Sequence, residues 1–318
     1  MSENSKIQWT DHTFNPWIGC TKVAPECKNC YAEELMDIRY HRASWGKGKA
    51  RVRTSEANWK LPLKWNRNAV LKCDGCETSY PIGHQINARG GGCSCGGRTQ
   101  LIRRRVFCAS LSDWLDDEVP IEWLADLLWL ICQCQNLDWL LLTKRPQNWR
   151  PRLKTVQKYL SGPGISLNEA TLRVFVENWL INWKGVVYTA APRNSNIWIG
   201  VSAGADQAAA LEIPARIHFL SCEPMLHPLD TTHAARFDWK IFGGESGAHA
   251  RPCRTDWIRE GVIFCRDYKI AAFVKQLGTR AQDPTGEPLR LRDSHGGDMS
   301  EWPEDLRVRE FPVVEEGR

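Results

Sequence analysis

Short apolar runs rich in β-branched and aromatic residues recur along the chain, and polar or glycine residues follow each of them. Runs of this kind predict buried β-strands. Six are clear, at residues 106–109, 139–143, 197–201, 217–221, 239–242 and 272–274. Between the first two, a segment that begins at Pro120 places Ile121, Leu124 and Leu128 on one helical face. Strands that alternate with helices in this way predict a parallel sheet with helical crossovers.

This alternation predicts an α/β fold, and six or seven units fit a full or partial (β/α) barrel formed by a single domain, 1–318. A doubly wound sheet shows the same alternation and is the alternative. Three segments fall outside the repeat. They are a glycine- and cysteine-rich insertion at 66–104, an insertion at 151–195 with a helix predicted near 167–183, and a tail at 279–318 that we expect to wrap the surface.

Composition restricts the class of protein. The 318 residues are 42% hydrophobic and 25% charged, and polar residues interrupt the longest apolar stretch, so we expect a globular protein with no membrane span. The amino terminus lacks the basic start and apolar run of a signal peptide, which predicts a cytoplasmic, reducing location. Thirteen clustered cysteines then favour metal binding over disulfides. The net charge of +5 and the run Arg103, Arg104 and Arg105 permit contact with nucleic acid.

Four cysteines in the first insertion have spacing close to that of a closed zinc site. Cys73 and Cys76 form one pair, and Cys93 and Cys95 form a second after a short excursion. Four thiolates complete tetrahedral coordination, so the sequence predicts structural zinc in a small zinc-ribbon-like subdomain. A cysteine-bearing loop without metal is the alternative, and His84 is the reserve ligand.

Three more cysteines lie in the stretch NPWIGCTKVAPECKNCYAEE, which precedes a helix predicted at 31–40. Cys20, Cys27 and Cys30 are one thiolate short of a closed zinc site. A fourth ligand could come from a histidine or from Cys222, Cys253 or Cys265. Without one, an iron–sulfur cluster would keep one iron open to an exogenous ligand, and an open iron implies chemistry. A second structural zinc site and three unrelated thiols are the alternatives.

The cysteines lie in a frame of Asn-Pro, Gly-Cys and Cys-Tyr-Ala within residues 15–32. This frame resembles radical S-adenosylmethionine enzymes, notably the branch similar to spore photoproduct lyase. The resemblance implies a full or partial (β/α) barrel in which Cys20, Cys27 and Cys30 bind a [4Fe-4S] cluster. It also implies that S-adenosyl-L-methionine binds the open iron and is cleaved reductively to a 5′-deoxyadenosyl radical. The first gap, of six residues, is longer than the common one of three.

The chain is also similar, nearly from end to end, to an uncharacterised phage-associated family with a three-cysteine motif. Besides the cysteine loop, the shared signatures are IQWTD at 7–11, LTKRP at 142–146, SCEP at 221–224, GGESG at 243–247 with RP at 251–252, KQ at 275–276 and WPEDL at 302–306. This second resemblance implies no substrate.

Charged residues in these signatures directly follow predicted strands, where an α/β fold gathers functional groups. Lys144 and Arg145 precede Pro146, and Glu223 precedes Pro224. We predict that the two cations and the carboxylate are catalytic or substrate-binding groups. An internal salt bridge among the strand-end charges is the alternative.

A second set of strand-end residues is predicted to bind the cofactor. It comprises Gly243, Gly244, Glu245 and Ser202. Radical S-adenosylmethionine enzymes often use a similar Gly-Gly-Glu triplet for the methionine amine, and glycine allows close backbone approach. A tight turn after the strand is the equal alternative for the triplet, and a helix cap or loop tie for the serine.

Two functions compete on this sequence. The first is a radical S-adenosylmethionine-type iron–sulfur enzyme with an unknown substrate. The lyase-like frame, the basic run and the zinc-ribbon-like insertion favour a nucleic acid or nucleobase. Such an enzyme needs an electron donor, and a protein encoded by a neighbouring gene is a further candidate partner. The second is a non-catalytic zinc protein in which both cysteine groups are structural and which binds nucleic acid or another protein.

Overall fold

A computed structural model describes residues 4–82, 93–182 and 196–313. The strands are β1 (His12–Phe14), β2 (Trp17–Ile18), β3 (Val52–Arg53), β4 (Val70–Cys73), β5 (Ser79–Pro81), β6 (Thr99–Ile102), β7 (Arg104–Cys108), β8 (Leu137–Thr143), β9 (Ile197–Ser202), β10 (Ile217–Cys222), β11 (Trp239–Gly243), β12 (Cys253–Arg254), β13 (Ala271–Gln276) and β14 (Ala281–Gln282). The α-helices are α1 (Tyr31–Glu33), α2 (Glu56–Trp59), α3 (Leu61–Arg67), α4 (Ile121–Gln133), α5 (Trp149–Tyr159), α6 (Leu167–Asn182), α7 (Gln207–Leu211) and α8 (Thr255–Asp267). A π-helix, Glu34–Arg39, continues α1.

Seven strands form one parallel sheet with the order β1-β7-β8-β9-β10-β11-β13. All six strands predicted from the apolar runs are present, and β1 adds a seventh. The order follows the chain without reversal, whereas a doubly wound sheet reverses at a switch point. The sheet therefore has the topology of a partial barrel, and the predicted α/β class with a partial barrel is confirmed.

One face of the sheet carries the helices. The predicted amphipathic segment is α4, whose residues Leu124 and Leu128 are fully buried against the sheet. At the other end of the sheet, Ile258 of α8 packs with Phe242 and Val274. Burial of these apolar side chains stabilises the outer layer by about 1.5–3 kcal/mol each.

The opposite face holds an aromatic cluster, and its contacts show that the sheet curls. Trp9 lies 4.5 Å from Phe107 of β7 and 6.1 Å from Trp239 of β11, measured between ring centroids. In a flat sheet, β7 and β11 would lie roughly 19 Å apart, four strand spacings. Phe311 likewise contacts both Arg105 of β7 and Phe273 of β13. The seven strands thus form a half-barrel with these rings inside its amino-terminal end.

The remaining expectations differ from the structure in detail. The helix predicted at 31–40 ends at Arg39 and is α-helical only in its first three residues. The helix predicted at 167–183 agrees with α6, and its last residue lies outside the described residues. Five of the α-helices in the described residues were not predicted, namely α2, α3, α5, α7 and α8. In the tail, Trp302 is buried in the outer core.

The first insertion contains a three-stranded antiparallel sheet with the order β5-β4-β6. His84, the reserve ligand, lies outside the described residues. Within the described part of the chain, no helix has the length and apolarity that crossing a membrane requires.

Candidate functional site

The three-cysteine loop crosses the carboxyl-terminal edge of the half-barrel. It begins after β1, where Asn15 accepts a 2.8 Å hydrogen bond from the Leu111 backbone N–H beyond β7. Gly19 follows β2 with φ +109°, a conformation that L side chains rarely adopt. Its N–H donates to the Leu111 carbonyl at 3.2 Å. These contacts fix the start of the loop just before Cys20.

Arg145 anchors the loop at Cys20. Its guanidinium lies 3.0 Å from a carboxylate oxygen of Asp113, donates to the Thr21 carbonyl at 2.6 Å and lies 3.5 Å from the Cys20 sulfur. Asp113 also accepts from the Thr143 hydroxyl at 2.7 Å. Sequence analysis predicted a ligand-binding role for Arg145, but the structure places it, nearly fully buried, between a carboxylate and a cysteine.

A second arginine anchors the middle of the loop. Arg251 forms two hydrogen bonds to Glu245, at 2.7 and 2.9 Å, and a third to the Pro25 carbonyl at 2.9 Å. The Asn29 amide donates to Glu245 at 3.0 Å. Burial alone would raise the pKa of Glu245, but the hydrogen bonds from Arg251 lower it, so this carboxylate is ionised. Glu245 thus forms an internal salt bridge with Arg251, a partner that sequence reasoning did not identify.

Lys144, Glu223 and Lys275 lie at the carboxyl-terminal ends of β8, β10 and β13, at the mouth of the half-barrel. The Lys144 ammonium donates to the Ser202 hydroxyl at 2.7 Å, and Lys275 lies 2.8 Å from Glu223. Lys144 and Glu223 do not pair with each other. The Lys275 and Glu223 side chains are 26% and 14% accessible to solvent. Lys144 is half-buried.

Electrostatic contacts connect this mouth to the cysteine loop. Burial raises the pKa of Cys30, and the nearby Lys144 ammonium opposes that rise. The Tyr31 hydroxyl donates to the Ser110 carbonyl, beyond β7. Lys144 and Glu223 therefore both act electrostatically on residues at the carboxyl end of the loop.

The two glycines before Glu245 are explained by packing. A Cβ on Gly244 would lie 2.1 Å from the Leu277 carbonyl oxygen, and one on Gly243 would lie 3.1 Å from Glu223. The Gly244 N–H donates to the Gln276 carbonyl at 3.1 Å. The two glycines thus allow the chain after β11 to pack closely against the end of β13.

Cys73, Cys76, Cys93 and Cys95 form a compact group that could bind a metal ion. Their sulfur atoms all lie within 4.8 Å of one another, and two pairs are 3.4 and 3.5 Å apart. Zinc–sulfur bonds of about 2.3 Å in a tetrahedron require sulfur–sulfur distances of ~3.8 Å, so the four residues fit such an ion.

The surroundings of this group also suit thiolates. The N–H of Gly97 donates to Cys95 at 3.4 Å. A Cβ on Gly97 would lie 2.6 Å from the Cys73 sulfur, so only glycine fits there. Hydrogen bonds from the Cys95 backbone and the Tyr80 hydroxyl lower the pKa of Cys93 to about 6.

The loop cysteines are arranged differently. In residues 4–82, 93–182 and 196–313, the group at Cys73 is the only set of three or more His, Cys, Asp or Glu ligand atoms this compact. Cys20, Cys27 and Cys30 are half-buried and do not form such a set.

The later cysteines that sequence analysis considered as a fourth ligand lie elsewhere. Cys222, Cys253 and Cys265 are buried in the outer core with Phe242. Cys20 and Cys30 pack instead against a small cluster around Met36. Cys253 and Cys265 thus lie in that core, whereas Cys222 also borders a small pocket that Glu26 of the loop helps to line.

Sequence reasoning missed the roles of Arg251 and Asn29. Arg251 belongs to an Arg-Pro pair in the signature region, but nothing in its spacing indicated contact with residue 25 or 245. Asn29 stands between two cysteines, and that position was its only signal. The contact of Asn29 with Glu245 and that of Arg251 with Pro25 each join residues more than 200 positions apart. Only the folded chain brings them together.

A family model described as Protein of unknown function (DUF5131) matches residues 4–304. No curated protein and no solved structure matches the chain. This match confirms the predicted resemblance to a family of unknown function.

Proposed function

The chain belongs to this DUF5131 family, and we propose that it is a radical S-adenosylmethionine-type iron–sulfur enzyme. One observation carries the proposal. The loop with Cys20, Cys27 and Cys30 is anchored by Arg145 and Arg251 across the carboxyl-terminal mouth of a parallel half-barrel. In α/β barrels, chemistry is located at this edge.

Each part of the site has a distinct role in this proposal. The three cysteines would hold a [4Fe-4S] cluster, which supplies reductive cleavage of S-adenosylmethionine to a 5′-deoxyadenosyl radical. Arg145 positions Cys20 and compensates negative charge on the sulfur ligands. Arg251 and Glu245 hold the loop, and Lys144, Glu223 and Lys275 line the space where a polar substrate would bind.

We also propose that the group at Cys73, Cys76, Cys93 and Cys95 binds structural Zn²⁺. Four thiolates leave no open position, so this site would stabilise the first insertion without taking part in chemistry. Residues 66–104 then form a zinc-ribbon-like subdomain, whose three short strands contribute little core of their own.

Metal analysis after anaerobic purification tests both sites. We expect about four irons and four sulfides per chain at the loop and about one zinc at the insertion. Cys27→Ala should lose iron and keep zinc, whereas Cys76→Ser should lose zinc and keep iron. Cys132→Ser, a half-buried thiol outside both groups, is the matched control and should change neither.

Cofactor cleavage tests the chemistry. With a reductant and S-adenosylmethionine, the iron-loaded protein should release 5′-deoxyadenosine, and the Cys27→Ala variant should not. Well-folded protein with about two zincs and no iron would refute the enzyme and support the alternative of a non-catalytic zinc module. An intact cluster without cleavage would also refute it.

A further inference from the structure

A basic segment begins at the end of the π-helix that follows the cysteine loop. Residues 38–49 read IRYHRASWGKGK and contain no aspartate or glutamate. Arg39, Arg42, Lys47 and Lys49 are all exposed. Among the described residues, none of the four forms an ion pair. Soluble surfaces ordinarily mix both signs of charge, so four unpaired cations in twelve residues are unusual.

The segment is fixed against the loop. The Gly46 N–H donates to the Cys20 carbonyl at 3.0 Å. Ala43 and Trp45 are buried with Met36 in the small cluster against which Cys20 packs. The inward-facing residues of the segment thus hold its exposed cations beside the carboxyl-terminal mouth.

An exposed aromatic ring lies among these cations. Tyr40 is 49% exposed. The guanidinium carbons of Arg39 and Arg42 lie 5.5 and 5.9 Å from its ring centroid. A tyrosine face that stacks on a base, with guanidinium groups that pair with the flanking phosphates, is the arrangement by which proteins bind single strands without reading sequence.

The basic run selected by sequence analysis is placed differently. Arg104 begins β7, so the run lies at the amino-terminal edge of the sheet, opposite the cysteine loop. Arg105 is 3.2 Å from the carboxylate of Asp11 and covers the ring of Phe311. The Arg103 side chain donates to the Gln135 carbonyl. These two arginines serve packing and pairing, and they are remote from the mouth.

We propose that residues 38–49 bind single-stranded nucleic acid and present it to the mouth of the half-barrel. The cations would contact phosphates, and Tyr40 would stack on a base. What happens to the bound nucleic-acid strand rests on the proposed function, because that function supplies the reaction at the mouth. Binding itself depends only on the surface described above.

Fluorescence anisotropy with a labelled oligothymidylate of about 20 nucleotides tests the surface. The variants are Arg39→Gln/Arg42→Gln, Lys47→Gln/Lys49→Gln and Tyr40→Ala. The matched control is Lys154→Gln/Lys158→Gln, which removes two exposed cations from α5. Circular dichroism and thermal unfolding verify that each variant is folded.

We expect each basic double variant to weaken binding about tenfold or more, and to reduce the slope of log K against log salt by about 1.4, or ~0.7 for each lost phosphate contact. Tyr40→Ala should weaken binding roughly tenfold with little change in that slope, because stacking is uncharged. The control should bind like the wild type.

Three results would overturn the inference. The control could weaken binding as much as the segment variants, which would indicate a net-charge effect. The segment variants could bind like the wild type. Phosphatidylserine-containing vesicles could bind the segment more tightly than the oligonucleotide, which would indicate a membrane surface instead.

The outcome is separable from that of the proposed activity. Iron-free protein that binds the strand through residues 38–49 would refute the activity and support the surface. The converse result is iron-loaded protein that cleaves S-adenosylmethionine but whose affinity for the oligonucleotide is unchanged by the substitutions in residues 38–49. It would refute the surface and support the activity.

Discussion

At the scale of single residues, buried charge explains how the loop is held. Asp113 and Arg145 are 5% and 4% exposed and lie 3.0 Å apart. The pair also forms hydrogen bonds to the Lys144 N–H, the Thr143 hydroxyl and the Thr21 carbonyl. A pair buried this well is costly to break by removing one partner.

Arg145→Gln should therefore reduce the free energy of unfolding by about 3–5 kcal/mol, because it leaves the Asp113 charge buried without a cation. The double variant Asp113→Asn/Arg145→Gln should lose less than the single variant, since no charge remains to be compensated. Urea denaturation measures both. A single variant within about 0.5 kcal/mol of wild type would contradict the anchoring role.

Asp138 gives a pH prediction. Burial raises its pKa to about 6, against the opposing effect of Arg216. Between pH 4 and 6, Asp138 is thus protonated in the folded state and ionised in the unfolded state. The associated stability is complete below the ordinary pKa near 3.8 and is lost as pH rises through 6.

Asp138→Asn should remove this dependence. Relative to the variant, wild-type protein should lose up to about 3 kcal/mol of unfolding free energy between pH 4 and 8. Denaturation of both proteins across that range measures the difference. A difference that stays constant with pH, or one that rises toward pH 8, would contradict the raised pKa.

At the scale of elements, the ends of β11 and β13 set the position of Glu245. The chain leaves β11 through Gly243 and Gly244, and the backbone of Leu277 passes directly over the second glycine. The apolar runs predicted both strands correctly, because a continuous run of buried residues is a local property of the sequence. It could not predict their close approach, which depends on how two distant turns pack.

Gly244→Ala should destabilise the protein by about 1–3 kcal/mol, because its Cβ would lie 2.1 Å from a carbonyl oxygen. Gly162→Ala is the control, since no atom lies within 4 Å of its added Cβ, and it should stay within about 0.5 kcal/mol of wild type. Denaturant unfolding compares the two. Equal effects of the two substitutions would show that the Leu277 backbone moves away from the added Cβ without loss of stability.

At the scale of the whole molecule, the aromatic interior holds the curl of the sheet. Trp9 precedes β1 in the chain yet contacts rings of β7, β10 and β11. A single side chain thereby connects strands that are not neighbours. Curvature brings the strand ends, and with them the charges of the mouth, around the cysteine loop.

Trp9→Ala should cost about 3–5 kcal/mol of unfolding free energy, the range for removal of a large buried aromatic side chain. Tyr159→Ala, at a ring 46% exposed on α5, should cost far less and serves as the control. Thermal unfolding and near-ultraviolet circular dichroism report the loss. Similar costs for both variants would show that the ring at position 9 does not hold the curl.

The sequence by itself determined six strands of the parallel sheet, the α/β class and the four-cysteine group. These depend on local composition: apolar runs bury themselves, and paired thiols a few residues apart can reach one ion. The sequence also identified three strand-end charges, Lys144, Glu223 and Glu245, because each follows an apolar run.

Only the tertiary structure decided which partners those residues have. Glu245 pairs with Arg251, Arg145 reaches Cys20, and the unpaired cations beside the loop are residues 39–49 rather than 103–105. Ion pairing and desolvation act over a few ångströms between segments far apart in the chain. Their outcome is therefore fixed by the curl of the half-barrel, which no local pattern encodes.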